Sequence, residues 1–179
     1  KSTLLNVVSG FYATDGGRVT LCGTDLGSLR MHERARKGLV RTFQLPSMPS
    51  RLTTFEVLLA GSVSYSDVGS ALFRTKRQKL VAYEARKEAE RLLHHFRLAG
   101  VRDLPASSLS GGQKKLLSIA TAMMLRPKLL GLDEPTAGVH PNLRREMVDL
   151  LRQCRDQGTS ILVIEHDMQF VREIAQTIT

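Results

Sequence analysis

Several short stretches of this chain end an apolar run on residues that can do chemistry. At Leu109 to Gln113 the sequence reads LSGGQ, a serine placed to cap a helix followed by two glycines in its first turn. A helix start of this kind presents a hydroxyl, unpaired N–H groups and the positive helix pole, with no side chain in the way of an anion. Ser110, Gly111, Gly112 and Gln113 are therefore candidate phosphate ligands. In LLGLDEP an apolar run delivers two adjacent carboxylates, Asp133 and Glu134. An aspartate at a strand end can hold Mg²⁺, directly or through water, and its glutamate neighbour can orient or deprotonate an attacking water. His166 in VIEHD ends a second apolar run, and Gln44 closes the run LVRTFQ with an amide able to touch metal or water. The chain itself opens on Lys1-Ser2-Thr3, a lysine and two hydroxyls running into a helix-like stretch. A phosphate-binding loop of the pattern G-x-x-x-x-G-K-S/T ends this way, with the lysine reaching phosphates and the hydroxyl ligating magnesium.

These residues need a scaffold that brings strand ends and helix starts to one edge. After the opening helix, GRVTLCG reads as a short strand beyond the Gly16-Gly17 turn and GLVRTFQ as another beyond Gly38. Between about residues 53 and 97 no strand pattern occurs. Thr53 and Glu56 form a capping box, and a long helix follows whose apolar stripe is Ala85, Ala89, Leu92, Leu93 and Phe96. Beyond Pro105 the alternation returns: helix GGQKKLLSIATAMML, strand KLLGLDE, and a helix from Pro141 to Gly158 with stripe Leu143, Met147, Leu150, Leu151 and Cys154. TSILVIEH is an almost continuous apolar strand, as expected where helices cover both faces of a parallel sheet. Helix MQFVREIAQ follows, and TIT reads as a further strand cut short. The expected fold is α/β, a mostly parallel sheet with flanking helices. Residues 1–44 and 105–179 form its core and 45–104 an inserted helical subdomain.

Composition narrows the class. A 179-residue chain with 42% hydrophobic and 24% charged residues is ordinary globular material, which excludes disordered and fibrous classes. Its apolar runs are too short to span a bilayer, and no signal-peptide pattern opens the chain. Cys22 and Cys154 stand far apart without C-x-x-C spacing, which reads as thiols of a reducing compartment and makes the cytosol the expected location. The net charge of +9 suits an anionic partner, but basic residues alternate with Glu84, Glu88 and Glu90 along the long helix, the pattern of a solvated face.

In this order the motifs resemble the nucleotide-binding subunit of ABC transporters, over nearly the whole chain. Lys1-Ser2-Thr3 resembles the tail of the Walker A loop, Gln44 the Q-loop glutamine, LSGGQ the signature motif, LLGLDEP the Walker B strand with its glutamate, and His166 the switch histidine. GLVRTFQ, DEPTAGVHPN and VIEHDMQFV are most similar to the ATPases of branched-chain amino acid importers and their urea or amide relatives.

The resemblance implies an ATP- and Mg²⁺-dependent ATPase that energises import of a small solute. It implies a head-to-tail dimer with ATP between the P-loop of one subunit and the signature helix of the other, bound to permease subunits at the cytoplasmic face of the inner membrane, with a solute-binding protein as an indirect partner. By that resemblance Lys1, Ser2 and Thr3 hold phosphates, with Ser2 as metal ligand. Asp133 and Gln44 serve metal and water, Glu134 the attacking water, and His166 the γ-phosphate. The family commonly has Asp or Asn where this chain has His140, a poorer helix cap, which bears on the cross-dimer contact of that loop. The glycine half of the cradle does not precede Lys1, so residues 1–179 alone are expected to bind ATP poorly. A competing expectation is an ABC-type ATPase acting on nucleic acid or the ribosome; against it, only the 64 residues 45–108 separate Gln44 from Leu109, which suits a transporter-sized lobe. A binding module without catalysis is the third expectation, opposed by the presence of Glu134 and His166.

Overall fold

A computed structural model describes residues 2–43, 48–62 and 76–177; Lys1 and Gln44 lie outside the described residues. In chain order the elements are α1 (Ser2–Val8), β1 (Thr20–Leu21), β2 (Thr24–Asp25), α2 (Met31–Arg36), β3 (Leu39–Arg41), α3 (Thr54–Ala60), α4 (Lys76–His95), α5 (Gly111–Met123), β4 (Leu129–Asp133), α6 (Pro141–Asp156), β5 (Ser160–Ile164) and α7 (Met168–Ile174). They fall into two compact units, one drawn from Lys1–Leu45 and Arg126–Thr179, the other from Pro46–Leu125.

The first unit is built on a parallel sheet of order β3-β4-β5, with Arg41 level with Gly131 and Asp133 level with Ile164. Parallel pairing sends all three strands toward the same edge, so Arg41, Asp133 and the residues after Ile164 emerge together. β4 is the buried centre: Leu130 and Leu132 are fully covered, and α1 lies close enough that a Cβ on Gly131 would meet Leu5 Cδ1 at 2.8 Å. α6 begins on Pro141 and buries Met147, Val148, Leu150, Leu151 and Cys154, while Leu143 in its first turn is half-buried. Its chain turns at Gly158, φ 99°, a left-handed position that favours glycine.

Two expectations are refined in this unit. Within GRVTLCG the expected short strand is β1, only two residues long, and it pairs antiparallel with β2 in a small hairpin. Cys22 and Gly23 both take positive φ, 48° and 76°, as a two-residue hairpin turn of the primed type requires. β5 is less covered than its apolar run implies. Ile161 to Ile164 are all half-buried and, with Leu4 and Val171, line a groove of about 660 Å³. Among the described residues β5 pairs only with β4. The TIT reading falls largely outside the described residues, which end at Thr177.

In the second unit α3 packs against α4 and α5. Its start is the capping box read from the sequence: Glu56 N–H donates to Thr53 Oγ1 at 3.2 Å, and Thr53 N–H donates to the Glu56 carboxylate at 2.8 Å. Along the α4 stripe, Ala89, Leu92, Leu93 and Phe96 are fully buried and Ala85 is half-buried. α3 and α5 approach closely because Gly61 has no side chain; a Cβ there would stand 2.5 Å from Thr121 Cγ2. Among the described residues no helix is long and apolar enough to cross a membrane.

Candidate functional site

The carboxyl edge of the sheet gathers the polar groups of the first unit. Asp133 is the last residue of β4 and is buried, 7% exposed. The Ser2 hydroxyl, in the first turn of α1, donates to Asp133 Oδ1 at 3.4 Å. On the other side Arg41 Nη2 stands 3.5 Å from Asp133 Oδ2. One carboxylate thus has an oxygen turned to a hydroxyl and an oxygen turned to a guanidinium.

Arg41 is held from α1 as well. Its Nη1 donates to Asn6 Oδ1 and, at 3.2 Å, to Ser9 Oγ, while its guanidinium lies 4.9 Å from the ring centroid of Phe43. Burial pushes the Arg41 guanidinium below its ordinary value, and the charge of Asp133 acts in the opposite direction. Among the described residues its Nε is buried without a hydrogen-bond partner. Arg41 was not singled out from the sequence, although a charged residue inside the run GLVRTFQ was a usable signal.

Glu134 follows directly, with its N–H donating to Ile164 O at 2.9 Å. Its φ is 48°, a sparsely populated conformation for a side chain of this size and one that is seen at functional sites. The Glu134 carboxylate reaches the loop after β5, where His166 Nε2 is 3.1 Å from Glu134 Oε1. The imidazole side chain is 72% exposed and that of Glu134 22%, so the pair sits at the mouth of the edge.

The backbone beneath the pair is fastened by groups that sequence reasoning missed. Glu165, 8% exposed, accepts from Thr136 N at 2.8 Å, from Thr136 Oγ1, from His166 N at 3.0 Å and from Asp167 N at 3.4 Å. Asp167 caps α7 by accepting from Gln169 N at 2.9 Å and Phe170 N at 3.2 Å, and it pairs with Arg144 of α6. The available signal was two acids flanking His166 at the end of an apolar strand.

Of the residues predicted from the sequence, Ser2 meets Asp133, and Glu134 meets His166. Thr3 is exposed on α1. Ser110, Gly111, Gly112 and Gln113 belong to the second unit, where Ser110 caps α5: Gln113 N–H donates to Ser110 Oγ at 3.3 Å and Ser110 N–H donates to Gln113 Oε1 at 3.0 Å. The Gln113 side chain therefore serves the helix start, and Gly111 opens onto free space. Among the described residues no cluster of three His, Cys, Asp or Glu side chains could cage a metal. A hydroxyl and one carboxylate oxygen nevertheless form a hard-oxygen pair that suits Mg²⁺, which characteristically takes one or two protein ligands and keeps its remaining sites for waters and phosphates.

His140, the departure noted in the sequence, caps α6 after all. Its Nδ1 accepts from Asn142 N at 3.3 Å, a long bond that needs the unprotonated nitrogen. A carboxylate caps better and complements the helix pole, so His140→Asp is expected to raise stability by about 0.5–1 kcal/mol, or roughly 2–3 °C in Tm. Thermal denaturation by circular dichroism checks this, and a lowered Tm would show that the imidazole makes a contact the cap does not explain.

Comparison with known proteins adds the following. A family model described as ABC transporter matches residues 1–137. A probable branched-chain amino acid transport ATP-binding protein LivG of Archaeoglobus fulgidus is 39% identical over 173 residues, covering 96% of this chain and 66% of the relative. The high-affinity branched-chain amino acid transport ATP-binding protein BraF of Pseudomonas aeruginosa is 35% identical over 181 residues, with 99% and 71% covered. The chain thus spans about two thirds of the length of such relatives. Among solved structures, an ATP-binding cassette of an ABC transporter superposes with a TM-score of 0.80 at 34% identity, over 97% of this chain and 69% of that one. A nucleotide-free ATP-binding cassette from an ABC transporter gives 0.78 at 32% identity, with 97% and 68% covered.

Proposed function

This chain belongs to the ABC transporter family, and from that premise we propose that it is the ATP-binding and ATP-hydrolysing subunit of an importer. The observation that carries the reading is the pairing of Ser2 with Asp133 and of Glu134 with His166 along one sheet edge.

When bound, MgATP supplies the scissile phosphoanhydride and the neutralised phosphate charge. Ser2 Oγ and Asp133 Oδ1 are the oxygens that would hold the cation, with Arg41 fixing the other carboxylate oxygen so that Oδ1 stays turned to the site. Glu134 orients water and accepts its proton. His166, at hydrogen-bond distance from that carboxylate, holds it in place and meets the phosphate side of the site. Lys1 and Thr3 as further phosphate ligands and Gln44 as a metal and water ligand are part of the same proposal, by family resemblance. Ser110, Gly111, Gly112 and Gln113, on a helix start with an open first turn, would meet the nucleotide held by a second subunit in a head-to-tail dimer. Residues 1–44 with 105–179 would serve as the core and 45–104 as the lobe that meets the permease.

The relatives named for branched-chain amino acid transport support a small solute of that class, or a urea or amide, as cargo. The protein would act peripherally, on the cytoplasmic face of the inner membrane, with permease subunits and a second ATPase as direct partners. Reconstitution of the full-length protein with permease subunits in vesicles tests this. ATPase activity is expected to rise several-fold on assembly and again with a loaded solute-binding protein. Undiminished activity without the permease, together with salt-sensitive binding of DNA or RNA, would overturn it in favour of a nucleic-acid role.

A further inference from the structure

We propose that Glu165 is a positioning residue which sets His166 against Glu134 by tying the turn after β4 to the end of β5 through one buried carboxylate. The inference rests on the roles given above to Glu134 and His166.

The Glu165 carboxylate divides its two oxygens between two chain segments. Oε1 takes both donors of Thr136, the residue two beyond Glu134, and Oε2 takes the backbone N–H groups of His166 and Asp167. Thr136 is 3% exposed and Glu165 8%, so water does not compete at this junction. An ionised carboxylate only accepts, and four donors around it match its capacity. In a low-dielectric setting such a network is rigid when every member is satisfied.

His166 itself is placed by its backbone and by one ring contact. Among the described residues the polar contact of its ring is Glu134 Oε1, and the side chain is otherwise 72% exposed. Its two neighbours are both locked, Glu165 onto Thr136 and Asp167 onto α7 and Arg144. The 3.1 Å meeting of His166 with Glu134 is therefore the sum of two anchored loops joined by Glu165. Displacing a reacting group by about 1 Å costs on the order of 100-fold in rate, which makes this junction a lever on turnover without any contact to substrate.

Glu165→Gln is the direct test, because a carboxamide must turn its NH₂ toward the donors of Thr136 or toward those of His166 and Asp167. In the full-length protein kcat for ATP is expected to fall about tenfold or more with KM changed less than about twofold. In a His166→Ala background the same substitution is expected to cost less than about twofold, since the residue through which it acts is gone. Amide hydrogen exchange at Thr136 and His166, read by NMR, is expected to accelerate, a readout independent of turnover. Thr136→Val removes one hydroxyl donor and serves if Glu165→Gln does not fold; it is expected to show the same background dependence at about a two- to fivefold loss. An equal loss in both backgrounds, a change in KM alone, unchanged kcat or unchanged exchange overturns the role of Glu165. A wild-type protein without ATPase activity, or His166→Ala turning over at the wild-type rate, overturns instead the proposed function on which it stands.

Discussion

Glu134→Gln in the full-length protein is expected to keep ATP binding while losing ATP hydrolysis by about 10²–10⁴-fold, the range associated with one general base. The amide has the shape of the carboxylate and can still meet His166 Nε2, so the geometry of the edge survives. What it lacks is a site for the proton of water. The strained φ of 48° at this position is set by the backbone bond from Glu134 N to Ile164 O and by the turn that follows, neither of which depends on the side-chain charge. Binding and chemistry therefore separate: nucleotide affinity stays within a few-fold of wild type and kcat collapses. A nucleotide-bound dimer should accumulate, because the step that dissolves it is blocked. Steady-state ATPase assays, binding of a fluorescent nucleotide and size-exclusion chromatography with ATP check the three parts. Normal turnover in this variant would remove Glu134 from the role.

Arg34→Met is expected to produce the largest loss of stability, about 3–5 kcal/mol, or roughly 10 °C in Tm. Arg34 is 3% exposed and makes no ion pair among those found in the described residues. Its guanidinium instead donates to four carbonyls: Leu29 O at 2.8 Å, Val7 O at 2.9 Å, Val8 O at 2.7 Å and Gly27 O at 3.1 Å. Val7 and Val8 end α1, where the last carbonyls carry the negative pole; Val7 O also accepts from Gly10 N at 3.0 Å. One buried cation thus closes the helix that bears Ser2 and clamps it to the loop before α2. Methionine fills comparable space, so the loss reports the polar contacts. Lysine, with one nitrogen, is expected to restore only part of it. Thermal and urea denaturation measure both variants; an unchanged Tm for Arg34→Met would mean that water takes over the carbonyls.

How much of this was legible in the sequence depended on whether the cause was local. The Thr53–Glu56 box, the Pro141 start of α6, the Gly158 stop and the buried stripes of α4 and α6 follow from capping chemistry and period, and all appear. The strand in GRVTLCG was legible but its hairpin partner β2 was not, because the turn at Cys22-Gly23 relies on a cysteine in a left-handed conformation that residue type does not advertise. β5 was read as a strand covered on both faces because its run is apolar; among the described residues it pairs only with β4 and is half-buried.

The candidate site divides in the same way. Ser2, Asp133, Glu134 and His166 could be picked from their motifs, since each stands where an apolar run stops or a helix begins, and their chemistry is intrinsic to the side chains. Which of them touch was decided by the parallel register that levels Asp133 with Ile164 and by the packing of α1 on β4. The roles of Arg34, Arg41 and Glu165 were missed for a related reason. Their hydrogen-bond and ion-pair partners are 29 or more residues away or are backbone groups, and a buried charge reveals what it serves only when the carbonyls, amides and carboxylates it satisfies have been brought around it.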